Sequence, residues 1–152
     1  MKPRRFDLDD SPCITARCDV RVRFQEVDAL GMVWHGHYLT YCEEGRNAFG
    51  RRHGFAYQDI QRHGYVAPIV HFELDYLHPA RFDELLQVTT HLHATAGARI
   101  DFTYLIADAA GKPLAHAHSV QAFTDHDGAL VLVRPAFFEA LLARWQPEMV
   151  RR

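Results

Sequence analysis

Five stretches of this chain alternate apolar and polar residues with a period of two, and a single long stretch carries a helical stripe. Cys18, Val20, Val22 and Phe24 alternate with Asp19, Arg21 and Arg23, which predicts a first half-buried strand. Tyr38 to Arg52 reads as a helix, with Tyr38, Tyr41, Cys42, Gly45, Ala48 and Phe49 along one stripe. Gly45 costs such a helix about 1 kcal/mol against alanine, a cost that makes sense where the helix backbone presses onto a sheet. Gly54 to Gly64 reads as a loop or short helix. Four further strands are centred on Val70–Tyr76, Leu86–Leu92, Ile100–Ile106 and Leu114–Thr124, with His78-Pro79-Ala80 breaking the second of the five. Asp127-Gly128 predicts a turn and a short strand after it, and Pro135 opens a C-terminal amphipathic helix.

Strands joined by short turns run antiparallel, because parallel pairs need long crossovers. An antiparallel sheet with one apolar face needs a cover, and one long helix is the large element available. The economical arrangement is an α+β fold, a five-stranded antiparallel sheet wrapped around one long central helix. At 152 residues the chain fits one domain, expected over 13–145, with flexible tails at 1–12 and 146–152. The formal net charge is −2, and no basic run is present, so neither nucleic acid nor a membrane surface is expected as a partner. No apolar run approaches the roughly 20 residues of a membrane span. The charged first dozen residues do not read as a signal peptide, and three irregularly spaced cysteines form no disulfide framework. These features together predict a soluble, cytoplasmic domain.

The most informative segment runs from Gln25 to Tyr38. It puts a carboxylate, Asp28, at the end of a strand, then a loop punctuated by Gly31, then a helix start at about Gly36. A helix N-terminus offers unpaired N–H groups and partial positive charge, suited to an oxyanion. A carboxylate facing it can activate water or attack directly. The other reading is that Asp28 merely caps a turn, a common role for aspartate.

The run Val22-Arg23-Phe24-Gln25-Glu26-Val27-Asp28-Ala29-Leu30-Gly31-Met32-Val33-Trp34-His35-Gly36-His37-Tyr38 resembles the signature of the 4-hydroxybenzoyl-CoA thioesterase family of hotdog-fold enzymes. Gly64 to Tyr76, followed by Pro79 to Leu85, resembles that family's second strand and the turn after it. The resemblance implies hydrolysis of acyl-CoA thioesters, without a cofactor, at a site shared between subunits of a dimer or a dimer of dimers. By position, Asp28 matches the catalytic carboxylate, as nucleophile or general base. The backbone N–H of His35 matches the amide that polarises the thioester carbonyl, and its imidazole matches an auxiliary histidine. Gly31, Trp34 and Tyr38 fall on the substrate-binding loop and helix start, and Arg99 and Arg134 are the candidates for the CoA phosphates. The chain carries His37 where many members have asparagine, and Leu30 where many have a small residue.

Two other chemistries compete. A hydratase or dehydratase on acyl thioesters would need a histidine base, for which His71 is the candidate, and a non-catalytic acyl-CoA binder would keep the fold alone. The pairs His35/His37, His91/His93 and His116/His118 could each present two imidazoles on one strand face to a metal. A cupin-type site also wants a correctly spaced glycine and glutamate. Gly31 stands too close to His35, Glu43 lies on the helix, and the other two pairs have no carboxylate at suitable spacing, so the pairs read as polar-face or interface histidines and no metal is expected. Glu43 and Glu44 read as solvated helix carboxylates, and Cys42 as core.

Overall fold

A computed structural model describes residue 8 and residues 10–151. The expected tail at 1–12 therefore lies largely outside the described residues. The strands are β1 (Cys13–Arg21), β2 (Ile69–Tyr76), β3 (Leu85–His93), β4 (Arg99–Ala107) and β5 (Pro113–Ala122). They form one five-stranded sheet in the order β1-β3-β4-β5-β2, with every neighbouring pair antiparallel. The helices are α1 (His37–His53), α2 (Tyr57–Arg62) and α3 (Ala136–Trp145). The α+β class and the five-stranded antiparallel sheet are as expected.

The alternation in each strand sorts the two faces. Ile14 and Ala16, Leu86 and Val88, Ile100 and Phe102, and Ala115 and Ala117 point to the core, where Tyr41, Cys42 and Phe49 of α1 meet them. Helix α1 is 17 residues long and packs against β1, β3 and β4. A Cβ at Gly45 would run into Thr90 Oγ1 and lie 2.7 Å from Val88 Cγ1, so the glycine lets the helix backbone lie on β3. The predicted stripe is buried except for Ala48, which is half-buried, and it gains Arg46. That cation is neutralised by neighbours: its guanidinium donates to Tyr57 Oη at 3.0 Å and lies 3.6 Å from Glu43.

The first strand differs from expectation. It starts at Cys13 and ends at Arg21, and Phe24 sits exposed on a 3-10 turn, Phe24–Glu26, its ring edge-on to that of Phe82. The ladder stops because the Glu26 carboxylate accepts the Arg23 N–H at 2.7 Å and the Tyr41 hydroxyl at 3.2 Å, turning the backbone out of the strand. The short connection from β2 to β3 does not join sheet neighbours either. It crosses three strand spacings, about 14 Å. Residues 77–84 make this crossing, and Leu77 and His78 both donate to the Leu114 carbonyl, at 2.8 and 3.1 Å. The predicted strand after Asp127-Gly128 is a single bridge between Thr124 and Leu130. At the C-terminal end, Gln146–Glu148 is a 3-10 turn, and Val150 pairs with Cys13 through two backbone hydrogen bonds of 3.0 Å. No helix among the described residues is long and apolar enough to cross a membrane.

Candidate active site

The segment from Asp28 to Gly36 is a loop pinned at both ends. Asp28 N–H donates to the Met32 carbonyl at 2.9 Å, and Gly31 N–H donates back to the Asp28 carbonyl at 3.0 Å. Gly31 takes a positive φ of 73°, which a side chain would resist. Val33 N–H then bonds the Ala80 carbonyl, and Ala80 N–H bonds the Tyr38 hydroxyl at 3.1 Å, so the crossing segment buttresses the loop. Trp34 covers Gly36: a Cβ there would run into the indole ring. The same indole lies against the His35 and His37 rings, with centroids 4.7 and 5.5 Å away.

Asp28, His35 and Tyr38 line one cleft of about 310 Å³, together with Met32, Tyr76 and Pro79. Leu30, the residue bulkier than the family pattern, also lines it. The half-buried Asp28 carboxylate does cap its turn, accepting the Leu30 N–H at Oδ1 over 2.8 Å. One oxygen suffices for that bond, so the two readings of Asp28 are compatible. Helix α1 begins at the cleft, with Gly36 as its N-cap residue. His37 N–H donates to the Trp34 carbonyl at 3.0 Å. Among the described residues the N–H groups of His35 and Gly36 find no backbone acceptor.

Tyr76 is a site residue that pattern reading missed. Its hydroxyl donates to the His35 carbonyl at 2.8 Å, holding the peptide that links His35 to Gly36, and its ring meets Tyr38 edge-on at 5.2 Å. Alternation marks Tyr76 only as the last residue of a strand. Burial pushes the Tyr38 hydroxyl pKa upward, keeping it a neutral acceptor for Ala80 N–H.

Other expected residues lie elsewhere. Gly31 and Trp34 shape the loop, but neither is among the residues facing the cleft. Arg99 and Arg134 also do not line it. Arg99 grips the buried Asp101 carboxylate with two donors, one at 2.7 Å. Arg134 donates to the carbonyls of Gly97 and Thr95 and to Glu139. Both guanidiniums thus brace the turn between β3 and β4. His71, the alternative base, sits on the outer face of β2, while Phe72 beside it packs against the core. Cys42 is fully buried and its thiol is pushed far up by that burial, which fits core rather than nucleophile. Glu43 and Glu44 are exposed.

The sequence pattern of the thioesterase-like superfamily matches residues 22–150, a span that includes the Asp28 loop, α1 and all of β2 to β5. The chain belongs to that superfamily. Among its relatives, the acyl-CoA thioester hydrolase YbgC of Escherichia coli is 28% identical over 109 residues, covering 72% of this chain and 81% of its own. The acyl-CoA thioesterase YbgC of Haemophilus influenzae is 34% identical over 84 residues, covering 55% of this chain and 62% of its own. Among solved structures, the DHNA-CoA thioesterase of Staphylococcus aureus superposes with a TM-score of 0.79 at 20% identity, covering 88% of this chain and 91% of its own. At that identity the likeness speaks for the fold alone. The family expected from the Asp28 loop is thus the one found.

Proposed function

We propose that this superfamily member hydrolyses an acyl-CoA thioester to free acid and CoA, in the cleft between Asp28 and the start of α1. One observation carries the reading: a carboxylate and the N-terminus of a 17-residue helix share a cleft whose other walls are largely apolar. The named activities of the E. coli and H. influenzae relatives support it.

In this reading Asp28 takes a proton from water, and the hydroxide adds to the thioester carbon. Alternatively the carboxylate itself adds, and water then hydrolyses the mixed anhydride. Either way the carbonyl oxygen gains negative charge, and the His35 amide with the helix N-terminus stabilises it. Collapse expels the CoA thiolate. Tyr76 acts by orienting the peptide at His35. Met32, Tyr38 and Pro79 form the acyl wall, and Leu30 restricts its mouth. No metal or organic cofactor takes part. The compartment is the cytoplasm, and the sheet wraps around α1 as the central helix.

The reading includes a dimer with the site completed at the subunit boundary. Strand β2 is a sheet edge, and its Ile69 and Val70 are exposed, so a second copy can extend the sheet there. Arg99 and Arg134, which do not line the cleft of their own chain, remain the candidates for the CoA phosphates in this reading. Light scattering at micromolar concentration should give twice the chain mass or a multiple of it, and a monomer would contradict the shared site.

The imidazole of His35 should matter less than its backbone amide. An oxyanion donor is worth about 2.7–4 kcal/mol, and His35→Ala leaves that N–H in place. The variant should lose no more than about tenfold in kcat, well short of the loss for removing the Asp28 charge. Steady-state rates on one acyl-CoA, with the fold checked by circular dichroism, test the ordering. Equal inactivity of the two variants would make the imidazole a primary acid or base.

A further inference from the structure

The outer face of the sheet, remote from the Asp28 loop in sequence and absent from its cleft, gathers His71 and Glu73 of β2 with His118 of β5. One donor atom of each lies within 4.8 Å of the others. Glu73 Oε1 is 3.4 Å from His118 Nδ1 and 3.9 Å from His71 Nε2. The register makes this arrangement: Glu73 stands directly opposite His118, and His71 lies two residues along the same face. Donors around a tetrahedral ion with bonds of about 2.0–2.1 Å stand about 3.3–3.4 Å apart. The Glu73–His118 edge already has that length; His71, whose side chain is 56% exposed, can turn to close the half-ångström to Glu73 and to approach His118, from which its donor atom lies no more than 4.8 Å.

We propose that His71, Glu73 and His118 form a binding site for a borderline divalent cation, Zn²⁺ in the first place, that bridges edge strand β2 to β5. Two imidazoles and a carboxylate are a donor set suited to Zn²⁺, and three protein ligands leave the fourth position to water.

A second feature points the same way. His118 Nε2 lies 3.0 Å from Asp101 Oδ1, and the ionised carboxylate can only accept, so Nε2 carries a hydrogen. Nδ1 is then the ring nitrogen that faces the Glu73 carboxylate, 3.4 Å away. A divalent cation between the two takes both as ligands. Asp101 also accepts from Thr95 Oγ1 and from Arg99 Nε, at 2.7 Å each, so the carboxylate is fixed behind the ring. A buried carboxylate fixing the outer nitrogen is the support that metal-binding histidines generally have.

Pattern reading set His118 aside because its own strand offers no suitably spaced carboxylate. The carboxylate comes from a strand some 45 residues earlier, brought opposite by the β2–β5 pairing.

The test is calorimetric titration of chelator-treated full-length protein with ZnCl₂, on wild type, His71→Ala, Glu73→Gln and Asp28→Asn. The expected result is one high-affinity Zn²⁺ per chain in wild type and in Asp28→Asn. Affinity should fall at least about 10-fold in His71→Ala and in Glu73→Gln. Zinc should raise Tm by several degrees in wild type and by less in those two variants, since binding to the native state alone stabilises it. His71 is exposed, so its alanine variant keeps the fold, and circular dichroism checks it. Failure of wild type to bind Zn²⁺, or equal binding in His71→Ala and Glu73→Gln, would overturn the proposal, the second result assigning the metal to other histidines. Because Asp28→Asn is scored for binding only, failure here and failure of the thioesterase reading are separate results.

Discussion

Asp28→Asn is expected to lower kcat for thioester hydrolysis by about 10²–10⁴-fold or more while leaving the fold and substrate binding nearly intact. The substitution is a clean one because of how the carboxylate is held. Its Oδ1 accepts the Leu30 N–H at 2.8 Å, and an asparagine oxygen can keep that bond. The backbone bonds that close the loop, from Asp28 to Met32 and from Gly31 to Asp28, do not involve the side chain at all. What changes is the negative charge on the second oxygen, and with it the ability to take a proton or to attack. Steady-state kinetics with one good acyl-CoA substrate, together with binding of a non-hydrolysable analogue, measure both halves. Retention of more than about a tenth of wild-type kcat would remove Asp28 from the mechanism.

The largest expected effect on stability is at Asp101. This carboxylate has no solvent exposure and accepts from Thr95, Arg99 and His118. Asp101→Ala removes the acceptor for all three donors and opens a small void, so it should cost about 3 kcal/mol, toward the lower end of what breaking a buried charged network costs. The value is kept low because Arg99 is nearly half exposed and can turn to water. For a chain of this size the loss corresponds to a fall in Tm of about 6–12 °C. The pH dependence has a definite sign. Asp101 has a folded pKa below its unfolded value, so its contribution is complete above about pH 4 and is lost as pH falls toward the folded value. The gap between wild type and Asp101→Ala in urea denaturation should thus be constant from pH 7 to about 5. Below about pH 4 it should shrink by up to about 1.4 kcal/mol per unit. A gap that does not change on acidification would mean that Asp101 is not held as an anion.

Local patterns carried much of this fold. The stripe of α1 is legible because Tyr38, Tyr41, Cys42 and Phe49 recur at helical spacing, and a glycine inside that stripe marks the point where the helix meets the sheet, at Thr90 and Val88. Alternation also placed β2 to β5 to within a residue or two. It misplaced the end of β1, because Val22 and Phe24 continue the period while Glu26 draws the backbone into a turn through its bonds to Arg23 and Tyr41. Periodicity describes side chains, and cannot register a carboxylate that captures a main-chain N–H.

The strand order was not legible, since pairing of β2 with β5 is a long-range choice that no local signal encodes. The same holds for polar burial. Alternation puts His91, His93, Asp101 and Thr103 on the polar side of their strands, the histidines as polar-face or interface residues, and all four are buried there. Their partners come from other strands: His93 Nε2 meets Thr103 Oγ1 at 2.7 Å, and Thr15 Oγ1 meets His91 Nδ1 at 2.8 Å. In the candidate site, Asp28, His35 and Tyr38 are contiguous enough to be found by motif. Tyr76 is separated from His35 by 41 residues and only folding joins them.

The most direct test is release of free thiol from a panel of aromatic, short-chain and long-chain acyl-CoAs by wild type and Asp28→Asn. Wild type should release CoA and free acid in equal amounts from at least one class, and Asp28→Asn should release neither above about a hundredth of that rate. A wild type that leaves every thioester intact, whether by binding it or by altering only its acyl chain, would contradict the thioesterase reading.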